Sequence, residues 1–206
     1  MDARISAKLR SYKYLDYSVL ASLFSEYPRP INPISHLVKQ GDLVRLKKGL
    51  YVLPSHLREG LLDTEVLANV IYGPSYISLQ YALSYYNLIP ERVNLVTSMT
   101  TQRDKWFSTP VGDFSYKYIL PRKYSIGLTL NNTHFLIATP EKALADIVGQ
   151  EKGFKNSKEV YEYLTENLRI EPEDLARLNL GRVREIARAY RMSSVTFLSQ
   201  CLEEMK

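Results

Sequence analysis

The stretch NPISHLVKQGDLVRLKKGLYVL, residues 32–53, decides how the N-terminal quarter of this chain folds. Asn32 can cap the free backbone N–H groups at the start of a helix, and Pro33 suits the first helical position because its missing donor would be unpaired there. Gly41 can adopt the left-handed backbone conformation that ends a helix. The stretch therefore predicts a short helix over residues 33–40.

The predicted helix has one apolar face and one polar face. Three apolar side chains recur at the spacing of a single helix face, namely Ile34, Leu37 and Val38. Three polar side chains point away from that face, namely Ser35, His36 and Lys39. A helix of this length fits a DNA major groove, so we expect these polar side chains to approach base edges, with Asn32 near the helix cap.

Two short extended runs, residues 43–47 and 50–53, follow the helix directly. Lys48-Gly49 between them is the kind of turn that a tight β-hairpin uses. Three cations of this hairpin could contact the phosphate backbone of DNA, namely Arg45, Lys47 and Lys48. A helix that leads directly into a basic hairpin is typical of the last helix and the wing of a winged helix-turn-helix.

Two further helices are predicted before this stretch. Ile5 and Leu9 lie at helical spacing in the first, and Asp16 is a possible cap for the second, which ends before the two prolines of residues 27–30. Three helices followed by a hairpin complete the plan of a winged helix.

The predicted fold class is α/β (α+β), with a boundary in the polar segment 54–60. Residues 1–58 form a winged helix-turn-helix DNA-binding domain, and residues 59–206 form a mixed α/β domain with a helical C-terminal part. An apolar content of 45% is enough for a proper core in each.

The charge of the chain is unevenly distributed. The formal net charge is +5, and residues 1–58 hold 10 Lys and Arg against 4 Asp and Glu, which leaves 17 against 18 for residues 59–206. A local excess of cations raises affinity for a polyanion through counterion release, so nucleic acid is the leading partner class for the N-terminal region. The alternative is a solvated basic surface without a partner.

The region after residue 60 predicts helices, then strands, then helices again. The predicted strands are residues 93–99, 114–120, 126–130 and 134–138, with a polar loop over residues 100–110. Candidate partner-binding side chains come from three places, namely Tyr81 and Tyr85 at helical spacing, Arg103 and Trp106 in the loop, and Arg184, Arg188 and Arg191 on a C-terminal helix. Packing within the domain explains the aromatic residues equally well, and a solvated helix face explains the arginines.

No motif of a metal site or an enzyme is visible. The three histidines, His36, His56 and His134, have no ligand spacing, and Cys201 is remote from them, so we expect no metal and no cofactor. We attribute three charged residues to the start and the polar side of a helix capped by Thr139, and not to catalysis, namely Glu141, Lys142 and Asp146. We therefore expect a protein that is not an enzyme.

The sequence also suggests where the protein works. A single cysteine suits a reducing compartment, and no apolar run approaches the length of a membrane span. We expect a cytoplasmic protein without a membrane partner.

Three segments in this order resemble the AbiEi family, the antitoxins of bacterial abortive-infection (type IV) toxin–antitoxin pairs. They are LVRLKKGLY at residues 43–51, YISLQYALSYYNLI at residues 76–89 and ATPEKALAD at residues 138–146. The similarity covers roughly residues 15–150, and the helical tail matches only in general character.

The resemblance implies a two-part protein. In that family an N-terminal winged helix binds inverted repeats in its own promoter and represses it, while the C-terminal domain neutralises a toxin with a nucleotidyltransferase fold. The DNA-reading helix and the wing would fall on residues 33–40 and 45–48 of this chain.

Three other functions fit the sequence. One is a winged-helix regulator whose C-terminal domain senses a small ligand in a pocket lined by Tyr76, Tyr81 and Tyr85. Another is an enzyme acting on nucleic acid or nucleotides through a buried acid such as Asp113 or Asp146. The third is an interaction protein whose degenerate winged helix binds no DNA.

Overall fold

The computed structural model describes the backbone of residues 3–206 and the side chains from residue 7 onward. The α-helices are α1 (Ala3–Arg10), α2 (Tyr17–Leu23), α3 (Ile31–Gln40), α4 (Thr64–Ile71), α5 (Leu79–Tyr85), α6 (Pro121–Tyr124), α7 (Pro140–Gln150), α8 (Ser157–Glu162), α9 (Pro172–Arg177), α10 (Leu180–Tyr190) and α11 (Ser193–Glu204). The strands are β1 (Leu15–Asp16), β2 (Val44–Lys47), β3 (Leu50–Val52), β4 (Ser75–Ile77), β5 (Val96–Thr100), β6 (Lys105–Thr109), β7 (Gly112–Tyr118), β8 (Leu128–Leu130) and β9 (Leu136–Ala138). A 3-10 turn covers Ser55–Leu57, and a π-helical turn covers Tyr163–Asn167.

The first six elements run in the order α1, β1, α2, α3, β2, β3, and their strands form an antiparallel sheet in the order β1-β3-β2. Asp16 caps α2 as predicted, because its carboxylate accepts a hydrogen bond from the backbone N–H of Val19 at 2.8 Å. Leu9 on α1 is fully buried, whereas the side chain of Ile5 lies outside the described residues.

Helix α3 begins earlier than the sequence predicts. Pro30 holds the cap position with a helical backbone, φ −55° and ψ −25°, so the helix extends back to Ile31. Asn32 therefore lies exposed in the first turn, and the prediction that it caps the helix is wrong. The predicted end is confirmed, because Gly41 adopts the left-handed conformation with φ 77° and ψ 8°.

Strand β3 is buried on both of its faces. Tyr51 packs into an apolar cluster with the N-terminal helices, whereas Leu50 and Val52 belong to the larger core of the C-terminal part. Alternate side chains of a strand point to opposite faces, so the N-terminal sheet lies between the two clusters. The hairpin is thus packed against the C-terminal part through one face of its sheet. The predicted domain boundary, residues 54–60, comes directly after the hairpin in the sequence.

A six-stranded mixed sheet organises the C-terminal part, in the order β6-β7-β5-β4-β9-β8. The two pairs β5–β7 and β4–β9 are parallel, and the other three pairs are antiparallel. Helix α7 packs against α5, α10 and α11. The predicted α/β (α+β) class is confirmed.

The segment predicted as the loop 100–110 contains an edge strand. Residues of β6 pair with β7 in antiparallel register, including Trp106 with Ser115 and Phe107 with Phe114. Lys105 and Ser108 on this strand are exposed and polar, which is usual for an edge strand that must not attract other sheets, whereas Trp106 between them is an exposed aromatic residue.

No helix of residues 3–206 combines the length and the apolar character needed to span a bilayer.

Candidate functional site

The polar face of α3 is exposed along its whole length. Ile34 and Leu37 are buried in the N-terminal cluster, at 1% and 5% exposure, as their spacing predicts. The three side chains predicted to approach base edges, Ser35, His36 and Lys39, are all exposed. The helix therefore presents two hydrogen-bonding side chains and one cation on a single free face.

The turn of the hairpin is fixed against the start of α2. Gly49 has a φ of +83°, which suits a tight turn, and its carbonyl accepts a hydrogen bond from the Tyr17 N–H at 2.9 Å. Lys48 in this turn is exposed, and so is Arg45 on β2. Both side chains are therefore accessible to phosphate groups, and the Arg45 Nε also donates a hydrogen bond to the Lys47 carbonyl at 3.4 Å.

The third cation of the hairpin has a different environment. The Lys47 ammonium donates a hydrogen bond of 2.5 Å to the carbonyl of Ile71, the last residue of α4. Burial lowers the pKa of Lys47 below its ordinary value. The side chain ties the hairpin to the C-terminal part, so the prediction that it contacts phosphate conflicts with the position of its ammonium.

A second concentration of charge is buried inside the C-terminal part. Lys142 and Asp146, one turn apart on α7, are 0% and 2% exposed, and the Lys142 ammonium lies 3.4 Å from the Asp146 carboxylate. The same ammonium donates to the Lys123 carbonyl at 2.6 Å and to the Tyr190 hydroxyl. Gly127 is required beside it, because an added Cβ there would lie 2.9 Å from the Lys142 Cβ.

The Asp146 carboxylate is equally well satisfied. One oxygen accepts hydrogen bonds from the Tyr76 hydroxyl at 2.9 Å and the Ser78 hydroxyl at 2.7 Å. The other accepts from the Tyr190 hydroxyl and faces Lys142. We call these five side chains, Lys142, Asp146, Tyr76, Ser78 and Tyr190, the buried cluster.

The electrostatics of the buried cluster favour a fixed network. Burial and the Asp146 carboxylate raise the pKa of Tyr76 and of Tyr190, so both phenols keep their protons at neutral pH. Burial lowers the pKa of Lys142, and the adjacent carboxylate only partly offsets this. With every oxygen of Asp146 occupied, the cluster offers no free base and acts as a cross-link between α7, β4 and α10.

The polar side of α7 is buried, so helix electrostatics alone do not account for its charged residues. Glu141 is also buried, at 4% exposure, and accepts hydrogen bonds from the Asn179 N–H at 3.0 Å and the Arg182 side chain at 3.2 Å. Five apolar residues, Ala143, Leu144, Ala145, Ile147 and Val148, cover little more than half of the circumference of α7. Lys142 and Asp146 share the remaining face, and Tyr76 of β4 and Tyr190 of α10 cover it. The sequence of α7 alone therefore does not predict that these charges are buried.

The three tyrosines proposed to line one ligand pocket have separate partners. Tyr76 bonds to Asp146, Tyr81 donates to Glu65 and Tyr85 accepts from Asn131. Their hydroxyls thus have no partner in common, which does not favour a single pocket lined by all three.

The predicted partner-binding residues lie on three separate elements. Tyr81 is half-buried, whereas Tyr85 on the same helix is 41% exposed and meets the Phe135 ring edge-on at 5.7 Å. Arg103 is exposed just before β6, and Trp106 on that strand is 54% exposed.

The arginines on α10 do not continue through Arg191. Arg184 pairs with Glu203 at 2.7 Å, and Arg188 is exposed. Arg191 lies beyond the last helical residue in a left-handed conformation, so the predicted face has two arginines and not three.

The other candidate groups for chemistry do not form a site. Asp113, suggested as a buried acid, is exposed on β7. Cys201 is buried, and burial raises the pKa of its thiol to about 11. Residues 7–206 contain no group of three His, Cys, Asp or Glu side chains positioned to hold a metal ion.

Comparison with known proteins finds a solved structure with a similar fold, and no match to a family model or a curated protein. Among solved structures, the chain is similar to the RV2827C protein from Mycobacterium tuberculosis, with a TM-score of 0.63 and 14% sequence identity. The match covers 98% of this chain and 76% of the other, so nearly the whole chain aligns with that structure.

Proposed function

We propose that the protein is a DNA-binding transcriptional repressor that reads sequence with α3. The observation that carries the proposal is that Ser35, His36 and Lys39 form an exposed face on a helix whose opposite face is buried. A positioned helix with a free polar face is the element that enters a major groove.

Two features of the N-terminal part support the proposal. The order α1, β1, α2, α3, β2, β3 with a three-stranded sheet is the order of a winged helix-turn-helix. Arg45 and Lys48 are exposed on the hairpin next in sequence to α3, where they can bind phosphate while the helix reads bases.

The second half of the proposal is that residues 59–206 serve as the antitoxin of an abortive-infection (type IV) pair, with the protein repressing its own promoter at inverted repeats. It rests on the resemblance of residues 15–150 to the AbiEi family. Trp106 on the edge strand β6 is a candidate contact with the nucleotidyltransferase-like toxin, since a large exposed aromatic side chain is a common anchor in protein interfaces.

The test of DNA binding compares the protein's own upstream DNA with a scrambled duplex across a salt series. We expect tighter binding to the upstream DNA and a steep salt dependence. Replacing Arg45 and Lys48 by Ala should weaken binding to both duplexes and reduce the salt slope by about 1 for each lost contact. His36→Ala should instead narrow the preference for the upstream DNA, by about 1–3 kcal/mol if it contacts a base.

The control is Lys158→Ala, which removes an exposed cation from α8, far along the chain. If the double variant of Arg45 and Lys48 behaved like this control in affinity and salt slope, the hairpin would not bind phosphate. Equal binding of the unaltered protein to both duplexes would overturn the reading of bases by α3.

The antitoxin role has a separate test. Co-expression with a nucleotidyltransferase-like toxin encoded beside this gene should relieve growth arrest, and the variant lacking Arg45 and Lys48 should relieve it equally well. Trp106→Ala should reduce the relief if toxin and antitoxin touch through β6. An adjacent toxin whose arrest this chain leaves unchanged would contradict the antitoxin role.

A further inference from the structure

A cavity of about 180 Å³ opens beside the buried cluster. Its inner wall includes Lys123, Asp146 and Tyr190, and thioethers of Met99 and Met192 provide apolar surface. Lys123 lies on the short helix α6 and is only 8% exposed. Exposed side chains such as Gln150 form the mouth, so a small molecule can enter from solvent.

The Lys123 ammonium has no adequate partner. It lies 2.9 Å from the sulfur of Met192 and 4.9 Å from the centre of the Tyr190 ring, and no oxygen acceptor lies within hydrogen-bonding distance among residues 7–206. A thioether is a weak acceptor, and a buried charge is costly unless it is paired. The nearby ammonium of Lys142, by contrast, has three oxygen partners.

A second hydrogen-bond donor at the same cavity also has only a sulfur atom as its acceptor within the described part of the chain. The side-chain amide of Gln150 points its N–H group at the sulfur of Met99, 3.2 Å away. The cavity thus has two donors, Lys123 and Gln150, and each has only a sulfur atom as its acceptor among residues 7–206. An oxygen acceptor bound between them would give both donors a stronger hydrogen bond.

The charges define what that acceptor should be. Lys142 and Asp146 pair with each other, which leaves the ammonium of Lys123 as the unbalanced charge of the cavity wall. A ligand with one negative charge would balance it, whereas a more highly charged ligand would face the Asp146 carboxylate without compensation. The volume of about 180 Å³ limits the ligand to a small molecule, since a single water molecule takes about 30 Å³ in the liquid.

We propose that this cavity binds a small monocarboxylate. Its carboxylate oxygens accept hydrogen bonds from the Lys123 ammonium and the Gln150 amide, and its short apolar chain packs against Met99 and Met192. Nothing in this proposal depends on DNA binding or on a toxin.

The probe is butyrate, which has six non-hydrogen atoms, and its matched control is butyramide, which has the same shape without the charge. Isothermal titration calorimetry and thermal unfolding of the full chain should show saturable binding and stabilisation by butyrate but not by butyramide. Lys123→Met keeps the side-chain length and removes the charge, and should weaken binding about tenfold or more. Arg122→Met removes an exposed cation one residue away and should leave binding unchanged.

A second variant covers the case in which Lys123→Met unfolds, as judged by circular dichroism. Gln150→Leu alters an exposed side chain and should weaken butyrate binding about threefold to tenfold. The proposal is overturned if butyrate shows no saturable binding, if butyramide binds equally well, or if the Lys123 and Arg122 variants bind alike. Binding of inorganic phosphate in place of butyrate would overturn the assignment to a carboxylate.

Discussion

Helices α3 and α7 both carry charged or polar side chains between apolar ones, but these side chains are exposed on α3 and buried on α7. On α3 the polar residues Ser35, His36 and Lys39 are exposed. On α7 the charged residues Lys142 and Asp146 are buried. The difference lies in what packs against them, because no element within residues 7–206 covers the polar face of α3, whereas Tyr76 of β4 and Tyr190 of α10 cover the face of α7 that carries Lys142 and Asp146. Whether a charged residue is exposed therefore depends on the elements packed against its helix face, and not on its charge alone.

The largest effect expected from this comparison concerns the buried pair. Asp146→Ala leaves the Lys142 ammonium buried without its counter-charge and removes the acceptor of three hydroxyl groups, so we expect a loss of about 3–5 kcal/mol in the free energy of unfolding. Urea denaturation followed by circular dichroism measures the loss.

The matched control is the Lys158–Glu162 pair, which has the same spacing on α8 but is exposed. Glu162→Ala should cost about 0.5 kcal/mol or less. Replacing Lys142 and Asp146 together by Met and Leu should cost less than Asp146→Ala alone, because no charge is then left unpaired. Similar losses of unfolding free energy for Asp146→Ala and Glu162→Ala would mean that burial does not make the ion pair of α7 more important for stability than that of α8.

The sequence predicts much of the fold because much of it is local. Asp16 and Gly41 mark helix ends through hydrogen bonds and backbone conformation that their own residue types provide. The strands β5, β7, β8 and β9 follow from runs of apolar and β-branched residues. The sequence does not predict strand β6, because its pairing with β7, and not its own composition, makes it a strand.

The buried cluster could not be predicted in the same way. Tyr76 and Tyr190 approach Asp146 from positions 70 and 44 residues away along the chain. No spacing rule links such residues, since the contact depends on how the sheet, α7 and α10 pack together. The sequence of α7 shows which residues share a face of the helix, and not which residues of other elements cover that face.

An intermediate effect is expected at Glu141, the third buried charge on α7. Burial alone would raise its pKa, but hydrogen bonds from the backbone N–H groups of Asn179 and Glu141 outweigh burial and hold the pKa below the ordinary value of 4.5, with smaller contributions from the side chains of Thr139 and Arg182. A carboxyl with a lowered pKa in the folded state stabilises the protein above its unfolded pKa, and the stabilisation is lost as the pH falls through the folded value. Glu141→Gln should therefore cost about 2 kcal/mol at pH 7 and less at lower pH.

Denaturation curves from pH 7 to pH 3 test this expectation. The difference in unfolding free energy between the unaltered protein and the Glu141 variant should become smaller below pH 4.5. Glu166→Gln, an exposed change on the same part of the chain, should show little difference at any pH. If the loss of unfolding free energy caused by Glu141→Gln did not change with pH, the hydrogen bonds to Glu141 would not depend on its negative charge.

The smallest effect compares how the two helices begin. Thr139 caps α7, and its hydroxyl accepts a hydrogen bond from the Lys142 N–H at 3.4 Å, whereas Asn32 on α3 makes no capping bond because Pro30 starts that helix. Thr139→Ala should cost about 1 kcal/mol, and Asn32→Ala should stay within about 0.5 kcal/mol of the unaltered protein. Because Asn32 is exposed beside the face of α3 that we propose reads DNA, Asn32→Ala should change DNA affinity more than stability. A loss of stability at Asn32 as large as that at Thr139 would restore Asn32 as the cap and move the start of α3 to Pro33, as the sequence alone predicts.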